Sequence, residues 1–191
     1  MRVTGGRLGG RRLVAPPSGV RPTADRVREA LFARLRDLDG VCVLDLYAGT
    51  GALGIEALSR GAERAVFVER SNASLAALRR NLLALDLDAC ARVVRGDVRS
   101  ALRRLAGERM RFDLVLADPP YDDRELAAPL SLLVSGGLLA PGATVVVERS
   151  RRHPLPLVAG LVSQGSRRYG DTELEWLGAG DPPAEQGEPK A

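Results

Sequence analysis

The sequence predicts an α/β fold built on a mostly parallel, seven-stranded sheet with helices on both faces. From residue 41 to residue 148, short apolar runs alternate with helical segments, an order typical of parallel strands joined by crossover helices. The last two apolar runs, 158–169 and 172–177, are separated only by the turn-forming pair Gly170-Asp171. We therefore expect an antiparallel C-terminal strand at the end of the sheet.

The first 20 residues predict a small basic arm that precedes the domain. Two β-like pieces, 2–4 and 12–14, flank a glycine-rich stretch, as expected for a small β-hairpin or a flexible arm that is not part of the core. A helix then follows, with Thr23 as its N-cap and Asp25 in its first turn. Its apolar stripe consists of Val27, Leu31, Leu35 and Leu38.

The remaining pattern gives the elements of a Rossmann-like domain over residues 21–178. The predicted strands before the closing pair are 41–46, 65–69, 91–95, 112–117 and 143–148. The predicted helices between them are 52–60, 72–86, 98–106 and 124–139. Residues 179–191, rich in proline, glycine and glutamate, predict a disordered tail.

Size and composition exclude several classes of protein. A chain of 191 residues is long enough for one domain with a sizeable core but has no room for a second. No apolar stretch is long enough for a membrane span and no signal peptide is evident, so we expect a soluble, cytoplasmic protein, and a monomer. Two cysteines and one histidine form neither a disulfide framework nor a metal site.

Charge favours a polyanionic partner. The net charge is +4, and Lys190 is the only lysine, so the cations are nearly all guanidinium groups that can bind phosphate through two donors. Residues 1–36 hold nine arginines against Asp25 and Glu29. This segment is the expected nucleic-acid binding surface, although genome composition alone can also make a protein rich in arginine. The candidate RNA-binding residues are Arg2, Arg7, Arg11, Arg12, Arg21, Arg26 and Arg28.

A glycine loop follows the first predicted strand of the domain. Gly49, Gly51 and Gly54 match GxGxxG between a strand and a helix, which by itself indicates a dinucleotide. Asp45, four residues before Gly49, would repel a pyrophosphate but can attract an ammonium, directly or through water. S-adenosylmethionine carries an ammonium and no phosphate, so it is the expected cofactor. The candidate loop contacts are Tyr47, Ala48, Gly49, Thr50 and Gly51.

Two further acids end the next two predicted strands. Glu69 lies where a carboxylate can accept hydrogen bonds from both ribose hydroxyls, and Asp97 where a carboxylate can accept one from the adenine amino group. Their neighbours Arg70 and Val98 complete the candidate cofactor residues. A single acid at such a place is often a solvated loop residue, but three at successive strand ends indicate a site.

The candidate catalytic residues are Asp118, Pro119, Pro120 and Tyr121, directly after the strand predicted at 112–117. An exocyclic amino group is a poor nucleophile because its lone pair is delocalised into the ring. The Asp118 carboxylate and the Pro119 carbonyl can accept its two hydrogens and turn the nitrogen towards an electrophilic methyl group. The Tyr121 ring can stack on the unstacked base. The alternative interpretation is that these residues form a rigid turn with no catalytic role.

These motifs resemble the class I methyltransferases that act on amino groups, and the chain is similar to the bacterial RsmD family over residues 1–178. The likeness includes residues 5–13, the more family-specific stretch 21–32, residues 54–62 and the closing 169–172. Tyr47 and Thr50 stand where the family often has phenylalanine and serine. The resemblance implies methylation of one 16S rRNA guanine at N2, within a small subunit or an assembly intermediate.

Three alternatives remain open from the residues. An adenine-N6 or cytosine-N4 methyltransferase would use the same Asp118 chemistry, but one that acts on DNA usually carries a target-recognition domain. A catalytically silent RNA-binding assembly module would need neither Asp118 nor the glycine loop. An NAD-linked oxidoreductase would use the glycine loop, but Asp45 is badly placed for it and no acid/base histidine is evident.

Overall fold

The computed structural model describes residues 1–15, 25–35, 37–120 and 126–180. Their strands form one sheet with seven members, as the sequence predicts. The strands are β1 (Cys42–Leu46), β2 (Arg64–Glu69), β3 (Ala91–Arg95), β4 (Phe112–Ala117), β5 (Leu139–Ser150), β6 (Leu161–Tyr169) and β7 (Thr172–Ala179). The helices are α1 (Asp25–Arg34), α2 (Ala52–Ser59), α3 (Asn72–Ala84), α4 (Val98–Gly107) and α5 (Ala127–Ser135).

The strand order is β3-β2-β1-β4-β5-β7-β6. The first five strands of the chain are parallel, and β7 inserts antiparallel between β5 and β6. The order reverses between β1 and β4, which creates the switch point at which open α/β sheets bind ligands. Leu46 of β1 is level with Val68 of β2 and Ala117 of β4, so the loops after these strands emerge side by side.

Two apolar layers cover the sheet. The helices α1, α2 and α3 pack on one face, around side chains such as Leu31, Ile55 and Leu78. The helices α4 and α5 pack on the other face, through side chains such as Leu102 and Leu133. Because both faces are covered, β1 is buried along its whole length, as expected for a central parallel strand. Of the helices within the described residues, none has the length and hydropathy needed to cross a membrane.

The boundary between α5 and β5 differs from the predicted one. The prediction of a helix over 124–139 is wrong at its C-terminal end, because α5 stops at Ser135, before Gly136, and Gly137 has a positive φ of 62°. The apolar pair that follows belongs to the turn and to β5, which begins at Leu139 instead of residue 143. The extra strand residues include a bulge, since the register to β4 shifts between Phe112 and Leu114.

The N-terminal arm belongs to the core, which corrects the expectation that it lies outside. The predicted β-pieces meet only in the single antiparallel bridge between Arg2 and Arg12, and a short 3-10 turn, Gly6–Leu8, lies between them. Val3, Leu8 and Leu13 are all buried in the layer formed with α1, α2 and α3. Apolar side chains within the arm therefore fix it to the domain.

Polar contacts from α2 hold the arm as well. The buried carboxylate of Glu56 accepts hydrogen bonds of 2.7 Å from both the amide and the hydroxyl of Thr4. The Ser59 hydroxyl accepts from the Leu8 amide at 2.9 Å and donates to the Gly5 carbonyl at 2.6 Å. A Cβ on Gly6 would lie 1.9 Å from the Ser59 carbonyl oxygen, so this close approach requires glycine.

Arg28 is an internal residue, which corrects its assignment as an RNA contact. Its side chain is fully buried on α1. The guanidinium pairs with Asp25 at 2.9 Å, lies 3.5 Å from the Glu56 carboxylate and donates to the Arg2 carbonyl. The charge of Arg28 therefore joins α1, α2 and the arm, and no phosphate can reach it in this arrangement.

Candidate active site

The glycine loop connects β1 to α2 through a backbone that curls tightly. Tyr47, Gly49 and Gly51 all have positive φ values, of 59°, 55° and 82°. The Gly51 amide donates to the Ala48 carbonyl at 2.7 Å, and the Ala48 amide donates to Val68 of the neighbouring strand at 2.9 Å. A Cβ on Gly51 would lie 2.4 Å from Leu78, so glycine is required there on two grounds.

Asp45 fixes the start of α2 from the end of β1. Its carboxylate is 1 % exposed and accepts a hydrogen bond of 2.9 Å from the amide of Gly54, the third residue of the helix. That amide lies in the first turn and has no partner within the helix. Burial, together with the negative charges of Asp118 and Glu69, raises the pKa of Asp45 to about 8 despite this hydrogen bond.

Glu69 holds the glycine loop against the end of β2. One carboxylate oxygen accepts from the Gly49 amide at 2.7 Å, and the other accepts from the amides of Arg70 and Ser71 at 2.7 and 2.6 Å. A carboxylate offers about four acceptor positions, so about one is left for a ligand. In this arrangement Glu69 can accept about one more hydrogen bond, and the contact to both ribose hydroxyls stays a prediction.

Asp97 is the N-cap of α4. Its side chain accepts from the Ser100 amide at 3.0 Å, and hydrogen bonds to Ser100 lower the pKa of Asp97 below its usual value. Asp97 is exposed, while Val98, the first helical residue, is buried. An ionised acceptor and a helix N-terminus therefore lie together after β3, where an adenine edge can be bound.

The Asp118 loop begins at the same edge of the sheet. Ala117 of β4 is level with Leu46 of β1, so Asp118 emerges beside the glycine loop. Asp118 is half-buried, Pro119 is buried and Pro120 is exposed. Asp45 is level with Phe67 of β2 and Leu116 of β4, so Glu69 and Asp118 each lie two residues beyond it on the neighbouring strands. Tyr121 lies outside the described residues, so its stacking role stays a prediction.

This cluster fits a positively charged ligand. In the described part of the chain, Asp45 forms no ion pair with a guanidinium group, and its neighbours Glu69 and Asp118 add further negative charge. A pyrophosphate would be repelled here, whereas the ammonium and sulfonium groups of S-adenosylmethionine would be attracted. No group of three or more potential metal ligands occurs among the described residues.

Asn81 is a site residue that sequence reasoning missed. Its side-chain amide is buried on α3 and donates to the carbonyls of Thr50 and Val14, both at 3.0 Å. Its oxygen accepts from the Val14 amide at 2.7 Å. Asn81 thus ties the arm to the glycine loop. A polar residue on the same helical face as Leu78 and Leu82 was the signal that could have identified it.

The candidate RNA-binding arginines differ in their exposure. Arg2, Arg7, Arg11, Arg12 and Arg26 are exposed, as is Arg70 beside the cofactor loop. Arg21 lies outside the described residues, and Arg28 is internal. The Gly6–Leu8 turn of the arm lies against Ser59, the last residue of α2, so this part of the arm is at the end of the helix remote from the glycine loop.

Comparisons with known proteins agree with this arrangement. The chain is 41% identical over 161 residues to the Ribosomal RNA small subunit methyltransferase D of Escherichia coli K12, a match that covers 83% of this chain and 79% of the relative. It is 39% identical over 175 residues to the YlbH protein of Bacillus subtilis, covering 90% and 95% of the two chains.

Solved structures show the same fold. The yhhF protein of Escherichia coli superposes with a TM-score of 0.82 at 34% identity, covering 95% of this chain and 99% of that one. A Thermus protein gives a TM-score of 0.79 at 34% identity, covering 92% and 98%. The Rossmann-like fold predicted from the sequence is therefore confirmed.

The family model described as Conserved hypothetical protein 95 matches residues 1–178, the span over which the sequence motifs resemble the RsmD family. That span includes the arm, the glycine loop, the Asp118 loop and the C-terminal hairpin. From the family match and the identity to the relatives, this chain belongs to the RsmD family of methyltransferases.

Proposed function

We propose that this protein transfers a methyl group from S-adenosylmethionine to the exocyclic N2 amino group of a guanine in 16S rRNA. The observation that carries the proposal is the position of Asp118 and Pro119 beside the glycine loop, next to the buried Asp45 carboxylate. The site thus combines hydrogen-bond acceptors suited to an amino group with negative charge suited to a cationic methyl donor. Membership of the RsmD family supports the choice of substrate.

The cofactor's ammonium is bound near Asp45, directly or through water. Glu69 accepts a hydrogen bond from one ribose hydroxyl, and Asp97 accepts one from the adenine amino group. Tyr47 to Gly51 supply the backbone that faces the cofactor, and Arg70 and Val98 flank the adenosine. The cofactor supplies an electrophilic methyl group on a sulfonium. Burial, together with the charges of Asp118 and Glu69, raises the pKa of Asp45, and a bound ammonium would favour its ionised form.

Catalysis depends on positioning the target nitrogen. The Asp118 carboxylate and the Pro119 carbonyl each accept one amino hydrogen, which turns the lone pair out of conjugation and towards the methyl group. The rigid Pro119-Pro120 pair holds both acceptors without donating hydrogen bonds itself. Fixed acceptors of this kind stabilise the positive charge that develops on nitrogen, so a strong base is not needed.

The substrate is the small ribosomal subunit or an assembly intermediate, and the enzyme works as a monomer in the cytoplasm. The exposed arginines of the arm and α1, among them Arg7, Arg12 and Arg26, bind rRNA phosphates. The target base is splayed out of its loop to reach Asp118, since an amino group inside a helix cannot meet the cofactor.

Transfer of labelled methyl from S-adenosylmethionine to a panel of substrates tests this proposal. The panel contains small subunits that lack the modification, naked 16S rRNA and duplex DNA. We expect label in the small subunit, less in naked rRNA and none in DNA. Label that enters DNA instead would favour an adenine or cytosine methyltransferase. Tight cofactor binding without label in any substrate would support the cofactor site and contradict the proposed rRNA substrate.

A further inference from the structure

The far edge of the sheet carries an exposed basic surface. The strand β6 is the last in the sheet, and its residues from Ser163 to Arg168 are all exposed. Two more exposed arginines follow β5 directly, in the segment that leads to β6. We define the hairpin surface as the sheet edge formed by Arg151, Arg152, Arg167 and Arg168, where the consecutive Arg167 and Arg168 project from opposite faces of β6.

The hairpin surface lies at the catalytic edge of the sheet. Ala117 of β4 is level with Val147 of the parallel β5, so Asp118 is about level with residue 148. Arg151 therefore follows the level of Asp118 by three residues, about 10 Å along the strand direction. The turn between β6 and β7 lies at the same edge, because Tyr169 and Ser150 both pair with Thr172.

The nearby acids Glu173 and Glu175 are compensated in part by Arg149, which does not belong to the surface. Arg149 pairs with Glu173 at 3.2 Å and with Glu175 at 3.1 Å. Glu173 also accepts a 2.6 Å hydrogen bond from Ser166, and its pKa is lowered by that bond and by the surrounding arginines. Arg168 lies 3.8 Å from Glu173 but is 68% exposed.

The other three arginines of the surface keep their charge available. Within residues 1–15, 25–35, 37–120 and 126–180, no carboxylate lies within ion-pair distance of Arg151, Arg152 or Arg167. Exposed guanidinium groups without acidic partners can pair with phosphate through two donors. Residues 148–175 hold five arginines and four carboxylates, a surplus of one positive charge, and three of these arginines have no carboxylate within ion-pair distance among the described residues.

One part of the arm lies away from the site, whereas Val14 at its other end is tied through Asn81 to the glycine loop. The Gly6–Leu8 turn of the arm packs against Ser59, at the end of α2, whereas the glycine loop precedes the first residue of that helix. An eight-residue helix spans about 12 Å, so this turn lies towards the opposite edge of the sheet.

We propose that the hairpin surface binds the phosphates of the RNA strand next to the target nucleotide and holds it beside the Asp118 loop. This proposal rests on the proposed function, because it takes RNA as the substrate. The surface contributes affinity and orientation and makes no sequence-specific contact, since guanidinium–phosphate contacts are independent of the base.

Two double variants test the proposal, Arg151→Gln with Arg152→Gln, and Arg167→Gln with Arg168→Gln. The matched control is Arg103→Gln with Arg111→Gln, which removes the same charge from exposed positions on α4 and before β4, away from the hairpin. The measurements are KM for small subunits that lack the modification, Kd for 16S rRNA at several salt concentrations, and Kd for S-adenosylmethionine as a control for folding.

We expect each hairpin variant to raise KM and the RNA Kd on the order of tenfold and to reduce the salt slope by roughly one to two units. Cofactor affinity should be unchanged, and the control variant should behave as wild type. Hairpin variants that match the control in KM, RNA Kd and salt slope would overturn the proposal. If wild type methylates no RNA, the proposed function fails, and rRNA binding by the variants still decides the role of the surface.

Discussion

The Asp45 carboxylate at the end of β1 accepts a 2.9 Å hydrogen bond from the Gly54 amide in the first turn of α2. This contact joins the strand, the glycine loop and the helix, and it places a carboxylate where almost no water reaches it. A Cβ on Gly54 would lie 2.3 Å from the Phe67 ring, so the approach of helix to strand requires glycine. The loop is therefore fixed before any cofactor binds.

The first prediction concerns stability and pH. The pKa of Asp45 rises from 3.8 to about 8 on folding, so its ionisation destabilises the cofactor-free protein progressively from about pH 4 to pH 8. Asp45→Asn keeps an acceptor for Gly54 but cannot ionise. We expect the variant to match wild type near pH 4 and to be more stable at pH 8, by about 1 kcal/mol or more. Urea unfolding at several pH values measures this, and a stability difference that does not change with pH would contradict it.

The second prediction separates cofactor binding from chemistry. Removing the buried charge by Asp45→Asn should weaken S-adenosylmethionine binding by about 2 kcal/mol, roughly 30-fold, because the ammonium loses its counter-charge. Asp118→Asn should change cofactor affinity by a few fold at most. Calorimetric titration of both variants tests the division of roles, and equal losses of affinity would show that it is wrong.

The third prediction concerns the contact between Asn81 and Thr50. Asn81→Asp replaces two donors with an acceptor, so the carbonyls of Thr50 and Val14 lose their buried partner. We expect about tenfold weaker cofactor binding and faster tryptic cleavage in the arm, since an unpaired buried polar group costs about 1–3 kcal/mol. The matched control is Asn72→Asp at the exposed start of the same helix. Identical cofactor affinity and cleavage rates of the two variants would show that Asn81 does not support the cofactor site.

The fourth prediction tests the internal role of Arg28. Arg28→Met leaves the Glu56 carboxylate buried with less compensation, so we expect a loss of about 3 kcal/mol in the free energy of unfolding. Arg26→Met, two residues away and exposed, should cost less than about 0.5 kcal/mol. Denaturant unfolding measures both. A large effect of Arg28→Met on the salt dependence of RNA binding, without a loss of stability, would restore Arg28 as an RNA contact.

Local patterns were sufficient to predict the sheet, because a buried parallel strand such as Phe112–Ala117 is apolar except at Asp113 and is bounded by turn residues. The C-terminal end of α5 was missed because apolar residues continue past Gly136. The arm was missed because the spacing of the buried Val3, Leu8 and Leu13 matches neither a helical nor a strand periodicity. Their burial depends instead on contacts to α2 such as those of Glu56 and Ser59, more than 50 residues away.

The candidate site was predicted in part for the same reason. Asp45, Glu69 and Asp118 follow from strand ends, which a sequence pattern locates. The hydrogen bond that Glu69 accepts from the Gly49 amide, and the contact of Asn81 with the Thr50 carbonyl, depend on tertiary packing. An arginine such as Arg28 looks like a surface cation until its partner Glu56 is known to be buried beside it.

The most direct test of the central claim is nucleoside analysis of small subunits that lack the modification, after incubation with the enzyme and S-adenosylmethionine. The account predicts N2-methylguanosine with the wild-type protein and a loss of at least about a hundredfold in rate with Asp118→Ala, because the amino group loses one of its two acceptors. A different methylated nucleoside, or an undiminished rate of N2-methylguanosine formation with Asp118→Ala, would contradict it.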